Sequence, residues 1–144
     1  TEIKAKGGGT PLMIFQSMHF GPEFINSSRQ DPKNKENVDN FVWTPNTGWQ
    51  GPKIVKLSGG GKLEDNLFNI DDVNWDAIPV FIAETEKLAK ENGIEKASLG
   101  SSIMINFNVR KQTLSFSATV KGERKDAYST GDVQTGKVTN FRVK

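Results

Sequence analysis

With 144 residues, 35% of them apolar and 25% charged, the chain can bury a sizeable core. No apolar run approaches the roughly 20 residues of a membrane-spanning helix, and the absence of cysteine excludes disulfides and thiolate metal sites. The formal net charge of +2 hides an imbalance: residues 1–98 hold 11 Lys/Arg against 14 Asp/Glu, and residues 99–144 hold 8 against 3. That basic C-terminal part reads either as a solvated sheet or as a face for nucleic acid, an anionic surface or an acidic partner.

The chain starts at Thr1, and its first nine residues, ending in three glycines, read as a flexible leader. Such a leader suits an exported protein standing off a membrane after cleavage; a trimmed start would look the same. Residues 11–20 form the first apolar run. Leu12, Ile14, Gln16, Met18 and Phe20 would share one face of a strand, and Met13, Phe15, Ser17 and His19 the other. Gly21-Pro22 ends it.

Residues 21–52 are the least legible. Asp31-Pro32 and the polar residues after it fit an N-cap, an N1 proline and a short helix. Phe41, Trp43 and Trp49 then lie among two prolines and two glycines, so the segment reads as a turn-rich loop with aromatic anchors. Residues 53–57 predict a strand closed by Ser58 and three glycines. Residues 62–73 alternate apolar with acidic and amide residues and lead into the helix.

Residues 76–93 carry the one strong helical pattern, with Ile78, Phe81, Ile82, Leu88 and Ala89 on a single face and Thr85 between them. Asp76 is the expected N-cap, Pro79 falls in the first turn, and Gly93 suits the left-handed C′ position. Period-two alternation follows. Ile103, Ile105, Phe107 and Val109 line one strand face, and Leu114, Phe116, Ala118 and Val120 the next, with Arg110-Lys111-Gln112 as the hairpin loop. Further strands are expected around residues 127–130 and 138–143. The expectation is a single α+β domain, an antiparallel sheet packed on one principal helix, with a four-stranded C-terminal meander and further strands before it.

Candidate chemistry is sparse. Ser58-Gly-Gly-Gly-Lys62 lacks the second half of a phosphate loop, because Leu63 follows and no helix starts there. Asp72, Asn74 and Asp76 match the first three ligand positions of a calcium loop, but Ala77 and Ala83 stand where glycine and a bidentate glutamate belong. His19 is the lone histidine, and Glu84, Glu86 and Glu91 read as a solvated helix face. No catalytic residue, cofactor or metal ligand is assigned.

The candidate binding surface has two parts. Phe41, Trp43 and Trp49 are exposed-aromatic anchors if they do not pack on the core. Ser115 and Ser117, with Thr113 and Thr119, form a polar sheet face rimmed by Arg110, Lys111, Arg124 and Lys125. The partner would be a protein or a glycan. A helix followed by an antiparallel meander, with the third strand entered through Val120-Lys-Gly-Glu-Arg-Lys-Asp-Ala-Tyr128, resembles exported bacterial PepSY-like and β-lactamase-inhibitor-protein-like domains over residues 53–144. That resemblance implies an extracytoplasmic, periplasmic or cell-surface domain that binds other proteins without being an enzyme. A small-ligand carrier or enzyme of cystatin-like shape, with His19 or Tyr128 inside a cavity between helix and sheet, is the alternative. Nucleic-acid binding by the basic meander is the third and least favoured reading; it requires an affinity that falls steeply with salt.

Overall fold

The computed structural model describes residues 12–59 and 61–144; the expected leader at 1–9 lies outside them, as does Gly60 of the glycine run. The chain forms two compact units, one holding the described residues up to Asp72 with Phe107–Thr113, the other Val73–Asn106 with Leu114–Lys144.

The N-terminal unit is built on four antiparallel strands, β1 (Met13–Gly21), β2 (Phe24–Gln30), β3 (Val38–Thr44) and β4 (Gly48–Ile54), side by side in the order β4-β3-β2-β1. A short β5 (Leu67–Asn69), between two single turns of 3-10 helix, pairs with the start of β1. Within β1 the register slips: Ile14 faces Arg29, but Met18 faces Ser27. Gln16 sits in this bulge at φ 59° and donates to the Asn66 side-chain oxygen at 3.0 Å. The extra residues turn Gln16 outward and leave both Ile14 and Met18 fully buried. Leu12, Leu67, Phe68 and Ile70 are buried as well, and the Phe107 ring stands 5.8 Å from that of Phe68.

No helix forms after Asp31-Pro32. The Asp31 carboxylate accepts the Lys33 N–H at 2.8 Å, the Asn34 side chain accepts that of Glu36 at 3.1 Å, and the Asp31 N–H reaches the Asn37 carbonyl at 2.9 Å. Two side-chain turns fold this stretch back on itself so that β3 returns along β2. The aromatic segment likewise is a hairpin, with Trp43 directly across from Trp49.

The C-terminal unit joins one helix, α1 (Ala77–Glu91), to the meander β6 (Ser98–Asn108), β7 (Thr113–Lys121), β8 (Ala127–Asp132) and β9 (Val138–Val143), in that spatial order. Ala77, Phe81, Thr85 and Ala89 are the buried seam of α1, one residue per turn. The Phe81 ring lies 5.5 Å from Phe116 of β7, the Thr85 hydroxyl meets that of Ser129 of β8 at 2.9 Å, and Ala89 joins Ile94, Val120 and Ala127 in one buried cluster. Gly131 is small for a reason, since a Cβ there would stand 2.5 Å from the Phe81 ring. The alternation read on β7 holds in part: Phe116, Ala118 and Val120 are buried, but Leu114 is half-buried and Ser117, expected on the polar face, is buried as well.

Hydrogen bonds fix both helix ends, and the start differs from expectation. Asp76 is already helical in backbone and makes no capping side-chain bond. Asn74 does the anchoring instead: its side-chain oxygen accepts the Asp76 N–H at 3.2 Å, its carbonyl accepts the Ala77 N–H at 3.0 Å, and its amide donates to the Gln134 carbonyl at 2.8 Å. These bonds commit the side chain that a calcium loop would have required. At the other end Gly93, at φ +70°, donates to Lys90, and Ile94 donates to Ala89, which is the Schellman pattern with its apolar contact. Asn74→Ala is expected to lower stability by about 1 kcal/mol and Asp76→Ala by under about 0.5 kcal/mol. Urea midpoints with unchanged slopes would show it; an equal loss in both variants would return the cap to Asp76.

Candidate functional site

Strand register gathers the predicted aromatics. Ile25 lies across from Trp43, Ser27 from Phe41 and Arg29 from Asp39, and Trp43 from Trp49. Directly paired residues share a face, so Ile25, Ser27 and Arg29 of β2 point the same way as Asp39, Phe41 and Trp43 of β3 and Trp49 of β4. The three rings are half-buried, which fits neither pure core packing nor free solvent exposure.

Arg29, which sequence reasoning missed, is the centre of this face. It is only 3% exposed. Its guanidinium carbon lies 3.9 Å from the centroid of Phe41 and 4.9 Å from the ring of Trp49, close enough for cation–π attraction to both. Nε and Nη2 are buried with no hydrogen-bond partner, and so is the Ser27 hydroxyl two residues earlier. Asp39 faces Arg29 across the ladder, yet forms no ion pair with it among the described residues. Burial alone lowers the guanidinium pKa from its ordinary value to about 10, with no carboxylate working in the other direction. A buried cation with open donors is costly, and buried polar groups in folded proteins nearly always find partners. The sequence offered no signal for it: an arginine between Ser28 and Gln30 on a strand without alternation looks like surface.

The other predicted residues are dispersed. Arg110 and Lys111 are exposed in the turn between β6 and β7, where the Gln112 side chain donates to the Val109 carbonyl at 2.7 Å and the Asp65 carbonyl at 3.0 Å. Ser115 is half-buried. Ser117 is 1% exposed and bonded to the Asn106 amide at 2.6 Å, so it is closed off by its cross-strand neighbour and is not offered to a partner. Arg124 and Lys125 are exposed in the β7–β8 turn. There Lys121, with the Gly122 N–H, holds the Asp126 carboxyl below its ordinary pKa.

A groove of about 700 Å³ runs beside α1, lined by Ala83, Lys87, Ala89, Lys90, Ile94 and Leu99 among others. Neither His19 nor Tyr128 lines it. Among the described residues no group of three His, Cys, Asp or Glu could hold a metal ion, and no helix is long and apolar enough to cross a membrane.

The described residues thus make an α+β protein, mostly antiparallel sheet with one α-helix, carrying a cationic aromatic cluster on β2–β4. The chain is similar to a probable lipoprotein, EnvF, of Salmonella typhimurium, with 33% identity over 119 residues, or 74% of this chain and 43% of that protein. It therefore spans less than half the length of that curated relative. No protein-family model matches the chain, and no solved structure matches it.

Proposed function

We propose that this chain is a non-enzymatic, envelope-associated binding module that takes a protein or glycan partner on the β2–β4 face. The observation that carries the reading is the convergence of Phe41, Trp43 and Trp49 around the unpaired Arg29 on one side of the N-terminal strands. Aromatics and arginine are the side chains most enriched at binding hot spots. Similarity to a probable lipoprotein supports an extracytoplasmic setting, and the layout resemblance to PepSY-like and inhibitor-like domains points the same way.

The test is affinity capture from the native envelope fraction with wild type, Trp43→Ala and Trp49→Ala. A partner retained by wild type, lost with either variant, and able in turn to capture this chain is the expected result. Identical captures by all three chains would sink the proposal. The groove beside α1 supports a second reading as a small-ligand carrier. On that reading an apolar dye enters the groove and is expelled by Ala89→Trp; binding unaffected by that change rules it out.

A further inference from the structure

We infer that Arg29 and Ser27 form a binding site for one carboxylate group. The inference deepens the binding reading above, since it names what the same face recognises.

Three buried donors on one strand face have no hydrogen-bond partner: Arg29 Nε, Arg29 Nη2 and Ser27 Oγ. Nε–H and Nη2–H lie parallel on one edge of the guanidinium plane, and together they form the fork that matches the two oxygens of a carboxylate. The Phe41 ring, 3.9 Å from the guanidinium carbon, occupies another part of the cation's surroundings without satisfying any N–H in that fork. Ser27 carries a hydroxyl that can donate one further bond.

Charge decides between carboxylate and phosphate. The site supplies a single buried positive charge, and Asp39 stands on the same face directly across from Arg29. A monoanion matches that one cation; a phosphate dianion would add a second negative charge beside Asp39, among Phe41, Trp43 and Trp49, with no second cation to meet it. Asp39 does not fill the role itself, because it makes no ion pair with Arg29.

The full chain, labelled with ¹⁵N, tests this through the assigned Arg29 Nε–H resonance at constant ionic strength. Acetate and benzoate are expected to shift it saturably, whereas chloride, acetamide and benzamide are not. Arg29→Lys keeps the charge and removes the fork, and is expected to weaken benzoate binding about tenfold or more; Ser27→Ala weakens it several-fold. An unresponsive wild-type resonance means that no carboxylate reaches these donors and overturns the inference, as does phosphate saturating at lower concentration than carboxylate. Undiminished binding by Arg29→Lys overturns it too, and if that variant does not fold, the wild-type and Ser27→Ala titrations decide. A chain that ignores carboxylates while its partner capture still depends on Trp43 and Trp49 loses this inference and keeps the binding reading. The reverse outcome separates them the other way.

Discussion

Replacing Phe81 by alanine is expected to lower the stability of the protein by about 3–5 kcal/mol, the range for deleting a fully buried phenylalanine. Phe81 is 0% exposed and packs on the equally buried Phe116. Little around it can move into the space. Gly131 has no side chain to offer, and Thr85, one turn later, is held by Ser129. The urea midpoint falls with the slope unchanged if the void stays open in an otherwise native fold. A paired change sharpens the test. Gly131→Ala places a Cβ 2.5 Å from the Phe81 ring and is expected to destabilise the wild type, but to lose most of that cost in the Phe81→Ala background. An equal cost in both backgrounds would mean that the ring does not lie over Gly131.

The second large effect has the opposite sign. Arg29→Met is expected to raise stability in the absence of ligand by about 1–2 kcal/mol. A guanidinium pKa lowered by burial to about 10 corresponds to about 3 kcal/mol of desolvation cost, and cation–π contact with Phe41 and Trp49 offsets about 1–2 kcal/mol of it. Methionine keeps much of the apolar stem and removes the charge. The sign with pH follows from the lowered value. The unfolded chain holds this proton more tightly than the folded one, so the cost is complete at neutral pH and fades only once pH rises past about 10. The advantage of Arg29→Met over wild type is therefore expected to be constant up to about pH 9 and to shrink above pH 10. Saturating benzoate at neutral pH should narrow the same gap by stabilising only the wild type. A variant less stable than wild type at pH 7 would show that Arg29 is not an uncompensated charge.

How far the fold was legible follows from what each strand turns inward. On β7 the inward residues are Phe116, Ala118 and Val120, and α1 buries one residue per turn, so simple periodicities located both. Strand β2 turns inward Ser27 and Arg29, so its buried face looks more polar than its neighbours and no hydrophobic period exists to find. On β3 Phe41 and Trp43 alternate with Asn40 and Val42, all four half-buried, and nearby Pro45 and Gly48, which build the turn into β4, made a hairpin look like a loop. The site was half legible for the same reason. Its aromatics stood out by type, while its cation was visible only through register. Ser117 erred the other way: a serine read on a polar strand face is buried and accepts a hydrogen bond from the Asn106 amide.

The outermost strand of the N-terminal unit bears on how the protein behaves in a crowd. β4 carries Ile54 at 86% exposure, with Leu57 also exposed just beyond it, and an apolar strand at a sheet margin is an invitation to aggregation. Its ladder to β3 is broken where Asn40 faces Lys53 but Val42 faces Gln50, leaving Gly51 and Pro52 as the irregular pair. Pro52 has no N–H to give an incoming strand, and the irregularity spoils the spacing of the donors on either side. Another molecule can touch Ile54, but it cannot zip onto a continuous edge. The strand that bears the most exposed large apolar side chain among the described residues is thus also one whose hydrogen-bonding edge is interrupted.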